Sequence, residues 1–113
     1  MANIFQITST ALGTITPAVT FAMDDLIGTG TLPDTYITYF LVDGVGVEHA
    51  DNAESARVYR VQVNIMNKDG LASLPDVDTA MLAAGFAKGS ERELQKDSTT
   101  SHYGLAKDYF YLT

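Results

Sequence analysis

The chain contains no cysteine. That excludes a disulfide framework and any thiolate metal site, and it fits a reducing compartment. A small domain without such staples often gains stability by assembling with copies of itself. No stretch approaches the roughly 20 apolar residues needed to span a bilayer. The N-terminal Met1-Ala2-Asn3-Ile4-Phe5-Gln6 carries no basic segment, so a secretory signal is not expected. Basic residues are also scarce, 7 against 14 acidic ones, which gives a net charge of −7. Lys88, Arg92, Lys96 and Lys107 are scattered among acids, so no basic footprint for nucleic acid is visible. The same balance disfavours anionic membranes. Its simplest role is solubility.

What is present is one domain's worth of ordinary globular sequence. The 113 residues are enough for one core but not two, and 46% hydrophobic with 19% charged residues argues against disorder throughout. There is no internal repeat and no low-complexity tract. Ile4, Ile7, Ala11 and Leu12 fall at helical spacing, so a helix is predicted over 3–12, with Gly13 as a left-handed cap. After Pro17, Val19, Phe21 and Met23 alternate as in an extended strand; a helix from Pro17 to Ile27 competes with that reading. Asp24 to Pro33 holds Gly28 and Gly30 and reads as a loop.

Thr35 to Val42 is dense in β-branched and aromatic residues and predicts a strand. Ile37, Tyr39 and Leu41 point one way, and Tyr36, Thr38 and Phe40 the other, so both faces are apolar in part. Asp43 to Ala56, with Gly44, Gly46, Glu48, His49, Asp51, Asn52 and Glu54, reads as a long protruding loop. Arg57 to Met66 then alternates, with Tyr59, Val61, Val63 and Ile65 apolar and Arg60, Gln62 and Asn64 polar. Asn67-Lys68-Asp69-Gly70 is turn chemistry. Ser73 as N-cap, Pro75 and Asp76 open a second helix, whose stripe is Val77, Ala80, Met81 and Ala84, ended by Gly85 with Phe86 folding back. Glu91 to Lys96 and Tyr103 to Leu112 complete an order α-β-β-β-α-β-β. That order implies an α+β fold, a mostly antiparallel sheet with about two helices packed on it.

Motifs for chemistry are weak. Glu48-His49-Ala50-Asp51 offers two kinds of metal ligand but no second histidine nearby, and a solvated loop explains it better. Ser101-His102 is a neighbour pair in sequence, whereas a catalytic triad is a spatial arrangement; no G-x-S-x-G elbow accompanies it. Gly28-Thr29-Gly30 and Gly44-Val45-Gly46 lack the Gly-Lys-Ser/Thr or third glycine of a phosphate loop. No catalytic residue, metal ligand or cofactor is therefore assigned. The six tyrosines all fall on predicted strands. Most are expected to pack in the sheet, but Tyr36, Tyr39 and Tyr109 are candidates for contacts between subunits.

One resemblance covers nearly the whole chain. Leu32-Pro33, Tyr36-Ile37, Tyr39, Ala50-Asp51-Asn52, Tyr59-Arg60-Val61-Gln62-Val63, Met81, Gly85-Phe86, Asp97-Ser98-Thr99 and His102-Tyr103 stand in an order and spacing that resembles the tail completion (tail terminator, or tail-to-head joining) proteins of long-tailed phages. The stretch from Thr14 to Thr31 departs from the family pattern. The resemblance implies a virion structural protein, made in the host cytoplasm and placed at the neck of the tail. Its copies would close a six-fold ring on the head-proximal end of the tail tube. Its partners would be itself, the tube protein and the head connector or stopper, with DNA passing through unbound.

On that reading the loop over 43–56 is the expected contact with tube or connector. Asp43, Glu48, Asp51, Asn52 and Glu54, with His49, are its candidate residues, and some of the acids are expected at the channel to repel DNA. The alternatives are another neck or tail component, such as a head-completion protein or tube subunit, and, from a different class, a small ligand-binding or catalytic α+β domain.

Overall fold

The computed structural model describes residues 3–16, 19–23, 34–50, 53–72, 74–96 and 101–112, with the backbone alone for 23, 45–50 and 53–56. Helix α1, Ile4–Leu12, starts at a reciprocal cap. Asn3 Oδ1 accepts from the Gln6 amide at 2.9 Å, and the Asn3 amide donates to Gln6 Oε1 at 3.0 Å. Thr8 stays in a helix interior because its buried hydroxyl donates to the Ile4 carbonyl at 2.8 Å. Gly13 does not form the expected left-handed cap; its φ is −68°. The reason lies in Thr14, whose hydroxyl and amide both donate to the Ala11 carbonyl, at 2.7 and 3.1 Å. The chain turns without needing a positive φ.

Helix α2, Val77–Ala83, is capped by Asp76 and not Ser73, which lies outside the described residues. Asp76 Oδ1 accepts from the Thr79 amide at 3.1 Å, and its Oδ2 accepts from the Thr79 hydroxyl at 2.6 Å. The helix ends as its sequence predicts. Gly85 has φ +101°, its amide donates to Leu82, and the Phe86 amide donates to Met81, both at 3.1 Å. This paired closure needs the left-handed glycine and folds Phe86 back into the core, where it is 3% exposed.

The strands are β1 (Thr20–Met23), β2 (Thr35–Ala50), β3 (Ala53–Asn67), β4 (Ala87–Leu94) and β5 (Tyr103–Leu112). They form one sheet in the order β1-β2-β3-β5-β4, antiparallel except where β1 runs parallel to β2. The strand reading of Val19–Met23 therefore holds over the helical one, and the α+β order is the one expected. The loop expected over Asp24–Pro33 lies outside the described residues, as do 97–100 of the last turn.

Register places Ile37 opposite Ile65, Tyr39 opposite Val63, and Val61 opposite Tyr109. These side chains, with Ile4, Ala11 and Leu12 of α1 and Val77, Ala80 and Met81 of α2, form a single buried cluster. Both helices thus lie on one face of the sheet. Among the described residues no helix covers the other.

The largest departure from the sequence reading is at 43–56, which is not a loop. β2 and β3 continue as a hairpin until Ala50 pairs with Ala53, leaving only Asp51 and Asn52, outside the described residues, between them. Gly44 marks a close approach and not a turn: a Cβ there would come within 2.9 Å of the Tyr59 ring across the strand. Register shifts after Leu41, Gly46 and Glu48 absorb the irregular pattern as bulges. Among the described residues, β1 pairs only with Tyr36–Tyr39 and β5 only with Val58–Asn67. The hairpin beyond Val45 and Val58 is therefore a bare two-stranded ribbon reaching about 17 Å past the sheet at ~3.3 Å per residue. The 16-residue β2 matches the 52 Å long axis of an otherwise 25 × 24 Å molecule.

β4 begins earlier than expected, at Ala87, and contains a two-for-one bulge. Lys88 pairs with Tyr109 and Glu91 with Lys107, so Gly89 and Ser90 together face Asp108. A Cβ on Gly89 would come within 2.6 Å of the Phe110 ring and 3.0 Å of the Asp108 carbonyl oxygen. Backbone cannot yield as a flexible side chain would. Gly89→Ala is expected to cost about 1–3 kcal/mol, read as a lower urea midpoint at unchanged slope, as overpacking does.

Candidate functional site

Three features of the described surface could carry function: the ribbon, the sheet face opposite the helices, and a charged cluster between α2 and the β4–β5 edge. The cluster was not anticipated from the sequence. Asp78, in the first turn of α2, accepts from the Tyr109 hydroxyl at 2.5 Å and pairs with Lys107 at 3.2 Å and Lys88 at 3.1 Å. Glu91 adds ion pairs to Lys88 at 3.4 Å and Lys107 at 3.9 Å. Partial burial pushes Asp78 up, but hydrogen bonds from Tyr109, Lys88 and Lys107 outweigh it, and its carboxyl lies below the ordinary range. Tyr109 is pushed far above the ordinary tyrosine value, first by burial and then by the Asp78 carboxylate. Lys88 is raised, chiefly by its hydrogen bond to Asp78. Every charge here has a partner inside the chain, so the cluster pins α2 to the sheet. The signal for it was Lys107, which alternates in phase with Tyr109 and so points a cation toward the helices.

The opposite face is polar where it is most buried. Asp108 is 1% exposed; its Oδ2 accepts from Arg60 at 2.7 Å and from Ser90 at 3.0 Å, the serine being turned inward by the β4 bulge. Asp108 Oδ1 and Arg60 Nε are buried without a hydrogen-bond partner. Beside them Arg92 donates to Gln62 Oε1 at 3.0 Å, Gln62 to Asn64 at 2.9 Å, and Asn64 to Thr38 at 3.4 Å. The distal end of the face is apolar: Phe110 is 38% exposed and Leu112 64%. An antiparallel sheet with one solvated face normally shows plain polar alternation there. Phe110 and Leu112 thus form a small exposed apolar patch at one end of this face, beside the polar Arg60 and Asp108.

The predicted site residues distribute unevenly. Asp43 is exposed at the root of the ribbon. Glu48, His49 and Glu54 lie on its strands, with only their backbones described; Asp51 and Asn52 lie outside the described residues. Tyr36, Tyr39 and Tyr109 are 7%, 6% and 0% exposed within the subunit, which favours packing over contact with another copy. Tyr109 meets Phe86 edge-on at 6.4 Å, and Tyr36 meets the buried His102 ring at 4.9 Å. The structure thus places Asp43 and the backbones of Glu48, His49 and Glu54 on one projecting hairpin and removes the tyrosines from the surface.

A groove of ≈ 300 Å³ between the end of α1 and α2 is lined by Thr14, Ile15, Thr16, Asp76, Thr79, Ala80 and Ala83. Its one carboxylate is committed to the cap of α2. Among the described residues no three His, Asp or Glu side chains are placed to hold a metal, and no helix is long and apolar enough to cross a membrane. No protein-family model and no curated protein matches the chain.

The α2 cluster sets the pH response. The folded pKa of Asp78 is lowered, so its contribution is complete above the unfolded value near 3.8 and is lost as pH falls through the folded one. Asp78→Asn should cost about 1–2 kcal/mol at pH 7 and flatten the acid limb of stability against pH. Tyr109, raised in the fold, contributes fully below its unfolded value near 10.0 and loses that contribution as pH rises above it. Tyr109→Phe should therefore soften the alkaline limb. Chemical denaturation between pH 3 and 11 reads both.

Proposed function

We propose that this chain is a tail completion protein of a long-tailed phage, a virion subunit that works by binding and not by catalysis. The observation that carries the reading is the ribbon. A two-stranded hairpin is marginal alone in water, yet this one runs past the sheet with free edges on both strands among the described residues. Such an element gains its ordering energy from a partner. The exposed Phe110 and Leu112 on the sheet face opposite the helices supply a second, different surface. Two unlike patches per subunit are what a closed ring of identical copies requires, because its contacts are head-to-tail. The groups beyond the ring would be the last ring of tube protein on one side and the head connector on the other.

A different neck component shares much of this argument. A tube subunit fits less well, since it is expected to be a larger β-sandwich and this chain has one sheet with helices on a single face. A ligand-binding domain would need a pocket with convergent unsatisfied polar groups, and the groove beside α2 offers none.

The charge supports passage of DNA without adhesion. Residues 43–56 hold four acids, Asp43, Glu48, Asp51 and Glu54, and no lysine or arginine. A basic mouth would retain phosphates through counterion release, and an acidic one repels them. Asp43→Lys with Asp51→Lys should slow DNA ejection while leaving the fold intact; unchanged infection kinetics would refute this part.

Electron microscopy of a lysate from phage lacking the gene tests the whole reading. Filled heads beside detached tails are expected, and irregular tail lengths would add termination of growth to joining. Intact, head-attached tails would sink it. Replacing residues 47–56 with Asn-Gly, a favoured two-residue turn, should leave a folded subunit that no longer joins heads to tails. Completed particles from that variant would show that the ribbon is not the contact.

A further inference from the structure

We propose that Asp69 is a site of spontaneous covalent modification. Its side chain condenses with the Gly70 amide, and the turn after β3 passes through a cyclic imide to isoaspartate. The other Asp-Gly pair of the chain, Asp43-Gly44, is protected by the sheet. Neither half of this depends on how the subunits assemble.

Asp-Gly occurs twice, at 43–44 and 69–70, and both aspartates are exposed. Local sequence and solvent access therefore do not separate them. Glycine permits the reaction in each case, because no Cβ hinders approach to its nitrogen. What differs is the backbone. β3 pairs with β2 and β5 as far as Asn67, so Lys68, Asp69 and Gly70 lie beyond the ladder. Gly70 has φ +98°, and a Cβ built on it would meet nothing within 4 Å. One side chain bridges the turn: Asn67 Nδ2 donates to the Gly70 carbonyl at 3.1 Å, and Asn67 Oδ1 accepts from the Asp69 amide at 3.2 Å. Asp43 and Gly44 instead sit inside the ladder, opposite Arg60 and Tyr59. The Gly44 carbonyl accepts from Arg57 Nη1 at 2.7 Å, and a Cβ on Gly44 would come within 2.9 Å of the Tyr59 ring. Ring closure requires the Asp-Gly peptide to rotate until its nitrogen meets the side-chain carboxyl carbon. At 69–70 that means local opening of a turn. At 43–44 it means breaking the β2–β3 pairing, which costs far more.

The chemistry needs no oxidant or reductant. The Gly70 nitrogen attacks Cγ of the protonated Asp69 carboxyl. The N–Cγ bond forms, the Cγ–OH bond breaks, and the hydroxyl leaves with the amide proton as water. Water then opens the ring. Opening at Cγ restores aspartate, whereas opening at the former main-chain carbonyl leaves the chain running through Cγ as isoaspartate. That adds one carbon to the main chain, roughly 1.5 Å of length. Asn67 cannot then bridge the turn as it does now. Because Asn67 also accepts from the Thr35 hydroxyl at 3.1 Å, this end of the β2–β3 ladder loosens.

The whole folded chain is incubated in heavy-oxygen water, digested in ordinary water, and read by peptide mass spectrometry. Each passage through the imide leaves one heavy oxygen on the residue. The peptide holding Asp69-Gly70 should take up label at least about tenfold faster than the one holding Asp43-Gly44. In urea, where neither is held, the two rates should converge. An unlabelled turn, or equal rates in the folded chain, overturns the proposal. A difference that persists in urea also overturns it, since its cause is then the neighbouring residues and not the fold. Asp69→Glu keeps the turn's hydrogen bonds, to which Asp69 contributes only its amide, but must close a six-membered ring. It should take up no label there. After long incubation the wild type should show a lower urea midpoint than fresh protein, and Asp69→Glu should not. Equal loss in both would overturn the link between this turn and the ladder.

Discussion

The structure depends on the register between β2 and β3. That pairing places Ile37 and Tyr39 beside Ile65 and Val63, and β5 then adds Tyr109 against Val61. A slip of one residue would turn Val61, Val63 and Ile65, all nearly inaccessible, to the opposite face and leave the helices nothing to pack on. Everything else is fastened to this ladder. α1 and α2 cover its one apolar face, β1 borders it over four residues, and β4 hangs on β5.

The two sides of the sheet solve the problem of charge differently. On the helix side, Lys107 points inward and is offset by Asp78 and Glu91, with the Tyr109 hydroxyl completing the first carboxylate. That arrangement holds α2, a helix of seven residues, which alone would be far below the length that is stable in water. On the other side, Asp108 is buried but only half satisfied, and the bulge at Gly89–Ser90 exists to bring a serine hydroxyl to it. The first network is complete within the subunit. The second has atoms left over beside exposed aromatic and aliphatic surface.

Much of this was legible in the sequence because local signals agreed with the fold. The alternation from Tyr59 to Ile65, the stripe Val77-Ala80-Met81, and the Gly85-Phe86 stop each correspond to what is seen, and β5 has the expected bounds. The ribbon was misread because Gly44 and Gly46 are turn signals in isolation. Only the Tyr59 ring, supplied by another strand, shows why a glycine stands in β2 at position 44. The cap of α2 shifted from Ser73 to Asp76 because Thr79 offers Asp76 both an amide and a hydroxyl. The tyrosines were harder still. Tyr36 sits on the face away from the helices and would be an interface residue by alternation, but His102, distant in sequence, covers it. Contacts between distant segments have no local signature.

β5 comes after every other element in the sequence but lies between β3 and β4 in the sheet. During translation, the hairpin and both helices emerge while the central gap is still vacant. The β4 edge has nothing to bind, Lys107 and Tyr109 have not yet met Asp78, and the second face does not exist. A nascent or truncated chain therefore lacks the finished sheet. The order of synthesis leaves the sheet in two parts until the strand that joins them has been made.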